Sequence, residues 1–143
     1  MPAHTADTPA PTASRRSAGG PLRGVQVAAV LSVVVLAWQF VTAGALLPRG
    51  GPLGAHAAGA IVLHVVLGLL TIATVLWARS ARGPWWPAVV SAVVFVLSFL
   101  QAYAGEHGNL ALHVPCAMLL TLGTVWVAAW SFGARGTARR EVG

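Results

Sequence analysis

The sequence predicts an all-α protein: a transmembrane four-helix bundle of two helical hairpins, with both termini cytoplasmic. Three observations lead there. The 143 residues are 57% hydrophobic and only 8% charged, where a soluble domain carries about a quarter charged residues. Mean hydropathy is +0.75. The apolar residues gather into four runs, residues 25–47, 53–77, 85–104 and 110–132. Each has roughly 20 residues or more, enough to cross ~30 Å of hydrocarbon as a helix. Strands of a membrane barrel would be shorter and would alternate, so helices are preferred.

Residues 1–22 are rich in Pro, Ala, Thr, Ser and Gly and are expected to form a disordered cytoplasmic tail. Ser14-Arg15-Arg16 superficially resembles a twin-arginine signal. The run that follows is too long for a signal-peptide core and has no clear cleavage site, so it reads as a retained helix. Residues 23–134 then form the membrane domain. Its runs are separated by Pro48-Arg49-Gly50-Gly51-Pro52, by Arg82-Gly83-Pro84, and by Gly105-Glu106-His107-Gly108-Asn109. Residues 135–143 are a short basic tail.

All nine basic residues are arginines, and the net charge is +6. They lie outside the apolar runs and form no aromatic-interleaved basic face, so nucleic acid is not an expected partner. Their placement instead sets orientation. Arg15, Arg16 and Arg23 precede the first run, Arg79 and Arg82 lie between the second and third, and Arg135, Arg139 and Arg140 follow the fourth. Only Arg49 falls on the other side, which puts both termini in the cytoplasm of a cell-membrane protein. Trp77, Trp85, Trp86 and Trp130 sit near the arginines, as an interfacial belt would. The lone cysteine, Cys116, rules out an intrachain disulfide and a Cys-rich zinc site; it reads as a small packing residue.

The chemistry is carried by histidines. His56 and His64 open the second run, and His107 and His113 open the fourth. Ionisable side chains inside a membrane mark a site by default, and imidazole is a common ligand of metals and haem iron. Two ligands of one iron must share a depth on facing helices. Measured from the cytoplasmic arginines at 1.5 Å per residue, His56 lies roughly 34 Å from Arg79 and His113 roughly 33 Å from Arg135. His64 is only roughly 22 Å from Arg79, and His107 roughly 42 Å from Arg135. His56 therefore pairs with His113. His64 is the substitute, and lies about 80° from His56 around the helix. His107 belongs to a loop with Glu106. Gly59 and Ala60 share the face of His56, as Cys116 and Ala117 share that of His113; small residues admit either a close backbone or a flat macrocycle. Gln39 and Gln101 read first as interhelical hydrogen-bonding residues. Pro115 removes one backbone hydrogen bond early in the fourth helix. Gln39, Gly44 and His56 in one hairpin and Gln101, Gly105 and His113 in the other suggest a parallel internal repeat.

Two stretches resemble one half of haem A synthase. The first is Leu100-Gln101 to Gly105 and then Asn109-Leu110-Ala111-Leu112-His113. The second is Val41-Thr42-x-Gly44 through Gly51-Pro52-Leu53 to His56 and on to Arg79. The resemblance covers about residues 38–132. It implies a four-helix unit with haem-ligating histidines on its second and fourth helices. The chain is also similar to a group of small actinobacterial four-span membrane proteins to which no activity is assigned, through Gln39-Phe40-Val41-Thr42-Ala43-Gly44, Gly54-Ala55-His56 and Leu112-His113. It departs from haem A synthase at Leu53 and Ile61, where that enzyme has a Glu before a helix-two histidine, and at Ala57 or Val65, where it has an Arg. The paired loop cysteines and the second four-helix unit are also missing. Methyl oxidation of haem by this chain alone is therefore not expected.

The resulting expectation is a membrane haem-binding, b-type cytochrome-like protein. His56 and His113 would be axial ligands of haem b, serving electron transfer or haem carriage. His64 and Gly59 would stand beside the macrocycle, and Arg49 would meet a propionate. A second copy of the chain, or a respiratory-chain or other membrane partner, goes with that reading. The alternative is a cofactor-free structural or accessory membrane protein in which the histidines only pack and hydrogen-bond.

Overall fold

The computed structural model describes the backbone of residues 13–46 and 53–140, and the side chains of 20–46 and 53–134. The described residues form four helices and no strand: α1 (Ala13–Leu46), α2 (Leu53–Ala81), α3 (Trp86–Glu106) and α4 (Leu110–Arg140). All four are long and apolar enough to cross a membrane, which makes this a multi-pass membrane protein.

Helix α1 begins at Ala13, inside the stretch expected to be tail, and carries Pro21 within it. Helix α4 continues to Arg140, through the expected basic tail. A helix satisfies its own backbone, so it need not stop where the hydrocarbon does. Residues 1–12 and the breaker 48–52, with Arg49, lie outside the described residues. The α2–α3 connection turns on Arg82, whose φ of 49° is left-handed. The α3–α4 turn uses Gly108 at φ 70°, where glycine meets no Cβ penalty.

Each helix packs on two neighbours, in the ring order α1, α2, α3, α4 and back to α1. Helices α2 and α4 are thus diagonal to one another across the interior. The core joins Val25, Ala29 and Leu36 of α1 to Leu63, Leu67 and Leu70 of α2, with Val94, Leu120 and Val127 from the second hairpin. Leu67 and Leu70 are fully buried, whereas Leu69 and Ile72 are more than half exposed, facing lipid.

The rest of the interior is small and polar. Ser32, Thr74, Ser91, Ser98, Thr124 and Ser131 are all at most 1% exposed. Most return their hydroxyls to their own helix: Ser32 donates to Ala28 O, Thr74 to Leu70 O and Ser91 to Pro87 O. Such residues let helices approach closely where lipid supplies no hydrophobic drive between them. Gln26 on α1 donates to Ser131 O on α4 at 2.8 Å, a direct interhelical tie. Gly123 approaches α3 so closely that a Cβ there would stand 2.5 Å from Val94 Cγ2.

Cavity formation should dominate the response to core truncation. Leu67→Ala should cost about 2–4 kcal/mol in SDS-titrated unfolding, and Leu69→Ala less than ~0.5 kcal/mol. Equal losses would contradict a packed core at Leu67.

Candidate functional site

Near the end of the bundle away from Arg79 and Arg82, His56 on α2 and His113 on α4 come together across the diagonal. Their ring centroids are 6.4 Å apart, with planes inclined at 57°. Each sits on the returning helix of its hairpin, and each is oriented by the rising helix of the same hairpin.

His113 Nδ1 is 2.8 Å from the backbone carbonyl of Gln101. A carbonyl only accepts, so Nδ1 carries the proton and donates, leaving Nε2 with its lone pair. His56 Nδ1 is 3.0 Å from Thr42 Oγ1. That hydroxyl has one proton and lies 3.1 Å from both Trp38 O and Gln39 O. With that proton directed to those carbonyls, Thr42 Oγ1 accepts from His56 Nδ1–H. The Gln101 carbonyl thus fixes His113 in the Nδ1-protonated tautomer, and with the Thr42 proton so directed His56 takes the same one.

The glutamines support both rings differently. With its amide oriented by its partners, Gln39 donates to His56 O and accepts from Ala60 N–H, each at 3.1 Å. This inserts Gln39 at the first turns of α2, and Gly59 is what admits it. A Cβ at Gly59 would run into the Gln39 amide and Trp38 Cδ1. Gln101 Nε2 is 3.1 Å from both ring nitrogens of His113. The two lone-pair directions diverge, so an atom equidistant from both nitrogens lies over the ring face and not on the Nε2 axis. Gly105 cradles His113: a Cβ there would stand 2.5 Å from Nδ1 and 2.7 Å from Cε1.

Between the rings is a cavity of about 40 Å³, room for a water-sized guest. Besides the two histidines and two glutamines it is lined by Leu36, Phe40 and Ala43 of α1, Leu63 of α2, and Ala117 and Leu120 of α4. The space therefore lies toward the seam between α1 and α4.

The other expected site residues lie elsewhere. His64 is stacked on Phe99 of α3, ring centroids 4.2 Å apart, and its buried Nε2 has no partner. His107 is exposed, lies against the Tyr103 ring and is 2.9 Å from Tyr103 O through Nδ1. Cys116 is buried and unpaired. Arg49 is outside the described residues. Among the described residues no three of His, Cys, Asp and Glu gather as a metal cluster, so any ion held here would rest on the two imidazoles. Thr42 and Gly105, one fixing a tautomer and one making room for a ring, were not singled out for these roles by sequence reasoning. Thr42 is three residues after Gln39 and so shares its face, and it lies within both motifs that carry the resemblances.

Fold and site together define a class: a four-helix membrane protein with a preoriented histidine pair between diagonal helices. No family model, curated protein or solved structure matches the chain.

Nitrogen-15 NMR of histidine-labelled protein should show the Nδ1-protonated tautomer for both His56 and His113. Thr42→Val should scramble it for His56 alone. Gly105→Ala should shift the His113 resonances and spare those of His56, while Gly44→Ala, with open space around it, should shift neither.

Proposed function

We propose that this protein is a membrane haem-binding, b-type cytochrome-like protein, with His56 and His113 as the axial ligands of haem b. The observation that carries the reading is the paired geometry. An imidazole–metal–imidazole axis would span about 6.2 Å between ring centres, from ~2.0 Å metal–nitrogen bonds and ~1.1 Å from nitrogen to ring centre. The two rings stand 6.4 Å apart. Metal-ligating histidines donate their other N–H to a carbonyl, carboxylate or water. Gln101 O plays that part for His113, and the Thr42 hydroxyl does so for His56.

The ring separation is that of two imidazoles sharing one metal. In the plane across that axis, the cavity of about 40 Å³ is well below the several hundred Å³ of cofactor pockets. A macrocycle would enter only if the α1–α4 seam parted, where Ala43 and Ala117 offer little bulk and Phe40 is the one large ring. Haem, when bound, supplies reversible one-electron chemistry. The chain's own part is to occupy both axial positions. That leaves no open coordination site for a substrate and favours electron transfer or haem carriage over oxidation.

Further features belong to the same reading. The Gln39–His56 and Gln101–His113 pairs support a parallel internal repeat. The likeness of residues 38–132 to half of haem A synthase, and to small actinobacterial four-span proteins, favours a haem-holding unit that works with a second copy or a respiratory-chain partner. Arginine placement favours cytoplasmic termini in the cell membrane. Arg49 would meet a propionate, and Gly59 acts through Gln39. The size of the cavity favours a second reading, a cofactor-free accessory protein in which each histidine fastens its own hairpin.

The test is spectroscopic. Protein expressed with haem and purified in mild detergent should show Soret and α bands that sharpen on reduction. His56→Ala and His113→Ala should each abolish or shift them, and His107→Ala should not. Ala117→Phe, which fills the seam, should reduce haem content at least about fivefold without loss of folded protein. Absence of bands in the native protein, or bands indifferent to both His56→Ala and His113→Ala, would leave the accessory reading standing.

A further inference from the structure

At the opposite end of the bundle the tryptophans do more than line an interface. Trp77 and Trp130 meet edge-on with centroids 4.8 Å apart, and Trp86 packs on Trp130 at 5.3 Å and on Trp126 at 5.1 Å. An anchor residue lies outward among headgroups, but Trp77 is only 9% exposed. The indoles instead form a packed wall. Against it opens a cleft of about 430 Å³, lined by Trp77, Pro84, Trp130, Gly133 and Ala134. That is the size of a small-molecule site, and much larger than the space between the histidines.

We propose that this cleft binds an anionic phospholipid by its phosphate headgroup. The α2–α3 connection is folded onto the wall: a Cβ at Gly83 would stand 2.8 Å from Trp77 Cζ3. One residue earlier, Arg82 holds a left-handed φ of 49°, a conformation in which glycine is the less strained choice. Arg82 is exposed in the same connection, two residues before Pro84 of the cleft lining. Arg23 and Arg79 are exposed at the same end. Glu106, the one acid among the described residues, is at the other end. A phosphate is complementary to this charge; a zwitterionic headgroup places its own cation against the arginines. Among the described residues neither Trp77 nor Trp130 spends its indole N–H on a protein acceptor, and an indole N–H is a donor only. The acyl chains would leave along the lipid-facing side of α2 and α4. Nothing in this proposal depends on what the histidines hold.

The probe is a lipid that quenches tryptophan. Full-length protein in mild detergent is titrated with brominated phosphatidylglycerol and, separately, with brominated phosphatidylcholine. Half-maximal quenching should come at about fivefold lower mole fraction for the anionic lipid, the worth of one arginine near a membrane surface. Arg82→Gly relieves the backbone and removes the charge. It should leave helix content and thermal stability intact while the lipid preference falls below about twofold. Arg82→Asn, which also tolerates the conformation, should behave alike. Equal quenching by the two lipids, or a preference that survives both variants, overturns the proposal. Displacement of the lipid by millimolar inorganic phosphate overturns it too, because the cleft would then be a free-phosphate site.

Discussion

In hydrocarbon, a polar group that finds no partner inside the protein finds none at all, and the arrangement of this bundle follows from that constraint. It forces the backbone into helices. It turns the buried hydroxyls of Ser32, Thr74 and Ser91 back onto their own carbonyls. It also orients the histidines. An imidazole has two nitrogens, and in both His56 and His113 one is satisfied by the preceding helix of the same hairpin. The two rings meet across the diagonal, their centroids 6.4 Å apart. The chemistry open to the site comes from what the hydrogen bonding leaves over.

Two glycines make that arrangement sterically feasible, by different means. At Gly59 the absent Cβ admits the Gln39 amide, which bridges the first turns of α2 beneath His56. At Gly105 the absent Cβ admits the His113 ring itself. The first glycine fixes a helix end and the second fixes an imidazole, so similar residues in the two hairpins carry different loads.

The spans were legible because composition decides them: four runs without charge leave little choice but four helices. Their ends were less so. Helices α1 and α4 run on into Ala- and Arg-bearing sequence that composition assigned to tails. The meeting of His56 with His113 was legible from depth alone, because helical rise is a constant ruler. Rotation about the helix axis is a second coordinate that such a ruler lacks. His64, about 80° around α2 from His56, is carried to the α2–α3 side and onto Phe99. The part played by Thr42 was hidden because its hydroxyl proton is already claimed by Trp38 and Gln39, so it serves His56 as an acceptor. The tryptophans were legible as residues near arginines, but their packing into one wall depends on helix rotation and was not.

The division of labour between hairpins bears on how a flat ligand would be admitted. His56 is oriented by α1 and His113 by α3, each within its own hairpin. The separation of the rings is therefore set only by how hairpin packs on hairpin, along the α1–α4 and α2–α3 seams. Those seams are unlike. The α2–α3 seam is closed by Phe95 against Gly68, where a Cβ would stand 3.4 Å from the ring, and by the Phe99–His64 stack. The α1–α4 seam at the site holds Ala43 and Ala117 beside the cavity. Opening the alanine seam about the aromatic one would widen the space beside the imidazoles while each keeps its tautomer and its partner. Each ring is thus oriented within its own hairpin, and the distance between the rings is set separately, by the packing of the two hairpins.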